Sequence, residues 1–348
     1  MKNLKPILVI LLVFSVVLVS LPQIEVVKAI GTVYIRSDGS TEGAGLMFSD
    51  GVYVFTGDIF GQIVIEKDGV TVEGSGYILH AMNEGSIFLE NRSGVALRNI
   101  EVVDAPFGIK LVGGRNNEIT KSNCSIRLEN TSDNSIYGNK KISLLFSNAS
   151  KNIITENNIT GSSVYGFKLQ KFSNENIICG NNITDNTSGI EFHGESNNNS
   201  IYENNIVSNA DGMIFYSSFN NSIHDNVIAF NSNLGIYFRG AAQNKFFRND
   251  IVENDDQTVC WYSSNLWDNG SEGNYWSDYN GTDADGDGIG DEPYLILTLG
   301  FYGESYDSDN YPLMEPKIIP EFPSWIILPL FVTATLFGFL VRKRLMRT

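Results

Sequence analysis

Two sets of residues in this chain have the types and spacing to do chemistry. The first is Asp283-Ala284-Asp285-Gly286-Asp287-Gly288-Ile289-Gly290-Asp291, with carboxylates at alternate positions and glycines relieving the turns. It matches the first half of a calcium loop: side-chain oxygens from Asp283, Asp285 and Asp287, the backbone carbonyl of Ile289, and Asp291 at the ninth position. Tyr294 stands where a bidentate glutamate would complete the site, so the calcium predicted here is a structural staple. The second set is Glu191, His193, Tyr216, Tyr237 and Arg239, which occupy equivalent positions two residues apart in successive copies of a repeat. Tyrosine rings and planar guanidinium groups stack on sugars and bind their hydroxyls, so this set predicts a glycan surface.

The repeat that must position them is Asn-x-Ile-x-x-Asn-x-Ile, followed by Gly, an apolar residue, any residue and a large apolar residue. It starts at Asn152, Asn176, Asn199, Asn221 and Asn244, at intervals of 24, 23, 22 and 23 residues, which is solenoid periodicity. The second half reads Gly166-Phe167-Lys168-Leu169, Gly189-Ile190-Glu191-Phe192, Gly212-Met213-Ile214-Phe215 and Gly235-Ile236-Tyr237-Phe238. Apolar residues spaced by two predict short strands with alternate side chains in and out. Coils stacked about 4.8 Å apart would place Ile over Ile and line Asn157, Asn181, Asn204, Asn226 and Asn249 into an amide ladder. The fold class is therefore all-β, a parallel β-helix solenoid.

A leucine-rich repeat has a similar period, but residues 151–250 hold only Leu169 and Leu234. A hexapeptide β-helix fails on period. No proline occurs between Pro106 and Pro293, as interior strands require. The spacing shortens to 17 and 18 residues between Asn117 and Asn152, predicting two abridged coils, and an aromatic cluster from Trp261 to Tyr279 predicts an end cap.

The net charge of −16 argues against a nucleic-acid partner, which needs a basic footprint. Residues 1–29 read as a signal peptide: Lys2 and Lys5, an apolar run from Ile7 to Leu21, then Val27-Lys28-Ala29 as the cleavage site. Residues 30–276 are the β-helix, 277–316 its cap with the Asp/Gly loop, and 317–324 a linker with Pro320-Glu321-Phe322-Pro323. Trp325 to Val341 is an uncharged run predicted to cross the membrane, with 342–348 a basic cytoplasmic tail and the β-helix outside. Cys124, Cys179 and Cys260 fall at different places in their coils and read as packed thiols, neither a disulfide framework nor a zinc site. Eleven Asn-x-Ser/Thr sequons are present, and export would open some of them to glycosylation.

The opening Tyr34-Ile35-Arg36-Ser37-Asp38-Gly39-Ser40, the Asn-x-Ile coils, and Gly273 to Tyr279 running into Asp283 to Tyr294 resemble archaeal surface proteins of the NosD-like family. These are right-handed parallel β-helices grouped with carbohydrate-binding and sugar-hydrolase modules, and the right hand is carried over from that resemblance. The tail resembles PEF-type sorting signals, which implies an archaeosortase-like processing enzyme as a partner. The family also implies copper handling, yet His80, His193 and His224 are far apart in sequence and copper wants clustered His, Met or Cys. The expected function is a surface-anchored, non-catalytic β-helix that binds glycans or serves as an adhesive or structural element of the cell envelope. Two alternatives stand beside it. One is a polysaccharide lyase, hydrolase or epimerase using Glu191, His193 and Arg239, although a hydrolase needs two carboxylates and only Glu191 is expected on this face. The other is a copper-handling accessory protein.

Overall fold

The computed structural model describes residues 29–81 and 87–317. Residues 1–28 of the predicted signal peptide 1–29, the predicted membrane span and the predicted tail lie outside the described residues. Among the described residues, no helix is long and apolar enough to cross a membrane.

The chain winds as a right-handed parallel β-solenoid. The largest face is a sheet that runs, strand on strand, from Ala29–Ile35 through Tyr165–Gln170, Ser188–Phe192, Asp211–Tyr216 and Leu234–Arg239 to Tyr294–Gly300. A second sheet carries Ile177–Cys179, Ser200–Tyr202 and Ser222–His224, and a third carries Asn182–Thr184, Asn205–Val207 and Val227–Ala229. Successive strands at about 4.8 Å make a rod about 50 Å long.

Side-chain alternation builds the core as expected. Ile109, Ile126, Leu144, Phe167, Ile190, Met213 and Ile236 stack in register on the inside of the large sheet, all fully buried. Beside them Phe192, Phe215 and Phe238 stack ring on ring, with centroids 4.6 and 4.9 Å apart. The glycine that opens each half-repeat is there for space: a Cβ on Gly189 would lie 2.5 Å from the carbonyl oxygen of Gly212 in the next coil.

The shortened period has a structural reason. The coils of Ile126–Glu129 and Leu144–Ser147 follow the preceding coil after 17 and 18 residues and contribute strands to the first two sheets only. The third sheet begins at Asn158–Thr160, where the period lengthens to 23.

The expected Asn157 to Asn249 ladder is present, and it is one of three. In it each amide Oδ1 accepts from both the backbone N–H and the Nδ2 of the asparagine one coil earlier; for Asn181 on Asn204 the distances are 3.0 and 2.9 Å. Asn117, Asn134, Asn152, Asn176, Asn199, Asn221, Asn244 and Asn265 form a second ladder. Asn186, Asn209, Asn231 and Asn254 form a third. The motif is thus Asn-x-Ile-x-x-Asn-x-Ile-x-x-Asn, with one amide at each corner satisfying backbone groups that no strand reaches.

All three ladders end on an acceptor from outside the repeat. Asn254 donates to Gln257 Oε1 (2.8 Å), the Asn265 N–H to Asp307 Oδ2 (2.7 Å), and the Asn274 N–H to Asp309 Oδ2 (2.7 Å). Asp307 and Asp309 lie on Gly303–Asp309, which forms an antiparallel hairpin with Tyr294–Gly300 at the end of the large sheet. Trp267 and Trp276 close the core beneath it, and Trp276 Nε1 also donates to Asp309 (2.9 Å). Gly273 is required here, since a Cβ would meet Asp309 Oδ1 at 1.7 Å.

Candidate functional site

The outer face of the large sheet brings together the residues singled out for glycan contact. Register places Lys168, Glu191, Ile214 and Tyr237 in one row, and Tyr216, Arg239 and Trp261 in another two residues on. Glu191 is the electrostatic centre. Its Oε2 lies 2.8 Å from Lys168 Nζ and 3.1 Å from His193 Nε2, with only 12 % of its side chain exposed. Burial would raise its carboxyl, but the His193 and Lys168 contacts overcome this and hold it at about 2. Glu191 is therefore an ionised acceptor at neutral pH and cannot lend a proton.

From His193 the wall continues as rings. The His193 and Tyr216 centroids are 4.6 Å apart, and Tyr216 meets Tyr237 edge-on at 5.7 Å. Arg239 is exposed at the rim. Upstream, Glu129 bridges Lys110 (3.7 Å) and Arg127, and Lys110 lies over the Phe88 ring. Charge and aromatic surface thus continue along the same sheet well beyond the five expected residues.

The expectation of a single carboxylate on this face needs correction. Asp211 opens the strand Asp211–Tyr216 in the same sheet, paired in register with Ser188 and Leu234 and three residues before Ile214. Burial, and then the charge of Glu191, push its carboxyl upward, while Asn233 Nδ2 donates to it at 2.6 Å. Asp211 occupies the position just before the repeat glycine, where Tyr165, Ser188 and Leu234 stand in the other copies. That position faces the wall in each coil, and aligning the repeats one residue further toward the N-terminus exposes it.

The other expected positions are as follows. Tyr202, His224 and Phe247 stack on the second sheet at 5.2 and 4.9 Å, with His224 Nδ1 2.7 Å from Asp225. The three cysteines are free, and burial pushes the Cys124 and Cys260 thiols up to about 12. In the Asp/Gly loop, Asp283, Asp285 and Asp287 bring oxygens within 4.8 Å of one another. Asp291 turns instead to the Ala284 N–H (2.8 Å), and the Ile289 N–H donates to Asp287 (2.8 Å). The Gly288 amide heads a set of N–H donors that hold Asp283 below the usual carboxylate range.

These features define a right-handed parallel β-solenoid with an aromatic and charged wall on its largest sheet. The chain belongs to the NosD family, whose description is periplasmic copper-binding protein; the family model matches residues 50–211 and 195–281. No curated protein matches. Among solved structures, the periplasmic alginate epimerase AlgG is similar at 17 % identity over 69 % of this chain and 70 % of that one, with a TM-score of 0.49. The A-module of a mannuronan C-5 epimerase from Azotobacter vinelandii is similar at 11 % identity over 64 % of this chain and 86 % of that one, with a TM-score of 0.39. A DFA-IIIase from Arthrobacter chlorophenolicus A6 gives 13 %, 54 %, 66 % and 0.42.

The donor set does not fit copper. His80, His193 and His224 each stand singly, beside Asp104, Glu191 and Asp225, and among the described residues none belongs to a group of three or more His, Cys, Asp or Glu donors. Cys124 and Cys260 are buried in the core, and Cys179 is partly buried with its Sγ against Thr155 Oγ1, so no thiol is grouped with a histidine. Among the described residues, the one group of three or more His, Cys, Asp or Glu donors is Asp283, Asp285 and Asp287, whose hard oxygens suit calcium.

Proposed function

We propose that this chain is an exported, non-catalytic β-solenoid whose large-sheet wall binds an extended glycan, either as a ligand or as a component of the cell envelope. The observation that carries this reading is the Glu191 cluster. Lys168 and His193 both contact one carboxylate that is held ionised at about 2, beside the Tyr216 and Tyr237 rings. Such a surface offers fixed acceptors, donors and ring faces, and its central carboxylate, Glu191, is held ionised. The rod supplies the same sheet over many coils, which suits a polymer better than a small molecule. A glycan array probed with the secreted chain tests this: retention is expected without new reducing ends or unsaturated products, and Tyr216→Ala with Tyr237→Ala should abolish retention. Binding that survives the double substitution would move the site off this wall.

Asp211 favours one second reading, a polysaccharide lyase, hydrolase or epimerase at the same wall, because it adds a half-buried carboxylate with a raised pKa beside Glu191. Turnover on any array hit, lost in Asp211→Asn and Glu191→Gln, would establish it. We further propose that the loop of Asp283, Asp285 and Asp287 takes one calcium ion that fixes the cap. The anchor at residues 325–341 and processing by an archaeosortase-like enzyme remain part of the proposal for how the rod is held at the surface.

A further inference from the structure

We propose that Asn198 and Asn220 are N-glycosylation sites, and that a glycan on one excludes a glycan on the other. Most of the other sequons are tied up by the fold. Asn186 is buried in a ladder, Asn148 Nδ2 donates to Asn130 Oδ1 (2.9 Å), Asn123 Nδ2 to Glu101 (3.4 Å) and Asn182 Nδ2 to Asn158 Oδ1 (3.2 Å), and Asn269 Oδ1 accepts three hydrogen bonds. Asn198 and Asn220 are exposed, and neither side-chain amide has a hydrogen-bond partner among the described residues; Asn91 and Asn280 share that state, but only Asn198 and Asn220 stand on adjacent coils.

Both occupy the same turn in successive coils, each with φ of 57°. Lys151, Glu175 and Gln243 fill that left-handed position in neighbouring coils, so the turn accepts other side chains and does not demand asparagine. The hydroxyl two residues on is not demanded either. Ser200 and Ser222 pair in register with Ile177 and Lys245, and the same row holds Ile153. Asparagine and serine therefore coincide here at two positions where the fold fixes neither. Transfer would join Asn Nδ2 to the anomeric carbon of a lipid-phosphate-linked oligosaccharide, breaking that carbon's bond to the phosphate oxygen. The phosphate leaves with the lipid, and the amide loses one proton. Adjacent coils are about 4.8 Å apart, and the Asn198 N–H already donates to the Phe219 carbonyl at 3.3 Å. Two first sugars on neighbouring turns would collide.

The inference rests on export, so protease digestion of intact cells is run in parallel to separate failed export from a failed site. Glycopeptide mass spectrometry on the chain purified from its native cells should find glycan at Asn198 or Asn220 but not at both on one molecule. Asn198→Gln should raise occupancy at Asn220, and Ser200→Ala should empty Asn198 without changing the thermal midpoint of the unglycosylated chain. Both asparagines bare in exported protein, or both carrying glycan on one molecule, overturns the proposal.

Discussion

Removing one rung of a ladder should be costly in proportion to what it leaves unpaired, and Asn204 is the rung with the clearest accounting. Its Oδ1 accepts from the Asn181 N–H and Nδ2, and its Nδ2 donates to the carbonyls of Ile178 (2.8 Å) and Tyr202 (2.9 Å) and to Asn226 Oδ1 (3.0 Å). Several partners keep a second bond: the Tyr202 carbonyl still accepts from Gly180, Asn226 Oδ1 from the Asn204 backbone, and Asn181 Nδ2 still reaches Ile154 and Cys179. Asn204→Ala therefore orphans chiefly the Asn181 N–H and weakens the Ile178 carbonyl. At about 1–3 kcal/mol for each buried group left unsatisfied, plus a small cavity, the loss is roughly 3–5 kcal/mol. For a chain of this size that lowers the thermal midpoint by about 5–8 °C. Asn182→Ala is the control: it removes an exposed amide that bonds Asn158 and Asn205 outside the rod, and should shift the midpoint by no more than about 1–2 °C. Circular dichroism melts of the two variants decide the matter. Equal shifts would mean that the buried ladders add nothing beyond the strands, and the account of the corners would be wrong.

The remaining predictions concern the wall, the cap and the loop. Glu191 has a folded-state pKa of about 2, below its ordinary value, so its stabilisation is present above the ordinary glutamate range and is lost as pH falls toward 2. Lys168→Met should move that acid loss to higher pH, and midpoints measured between pH 7 and pH 2 that superpose for wild type and variant would contradict it. Asp309→Asn should destabilise the cap by about 2–4 kcal/mol, because an amide must turn an N–H toward donors wherever it points; native-state hydrogen exchange should show the Tyr294–Asp309 hairpin opening first. Calcium should raise the thermal midpoint relative to chelator, and Asp283→Asn with Asp285→Asn should remove the difference; an unchanged midpoint together with no heat in calorimetry would refute the ion.

The coils could be read from residue order because a stacked solenoid repeats one environment, so Ile178, Ile201 and Ile223 announce the same inward position each time. The Asn157 row was evident for that reason. The other two ladders went unread, since a row at each corner becomes apparent only when three-sided coils are in view, and the abridged coils between Asn117 and Asn152 blur the third. The wall was half evident: Glu191, His193, Tyr216, Tyr237 and Arg239 share the register of the half-repeat, while Asp211 lies ahead of its glycine. The ladder stops at Gln257, Asp307 and Asp309 had no signal at all, because they act once, across 33 to 42 residues in the two aspartate cases, and nothing periodic marks them.

In every ladder the donors of one coil are met by the oxygen of the coil that follows it in the chain. During synthesis the rod is therefore always incomplete at its newest end. Each newly made coil has backbone N–H groups that the next coil has yet to meet, and the open strand edge beside them invites pairing with any other chain. Release comes only when Asp307 and Asp309 arrive, nearly at the end of the solenoid. A message truncated anywhere between Asn157 and Asn274 would leave a rod that keeps its core yet carries an adhesive tip, so early termination should yield aggregates of well-formed coils rather than unfolded fragments.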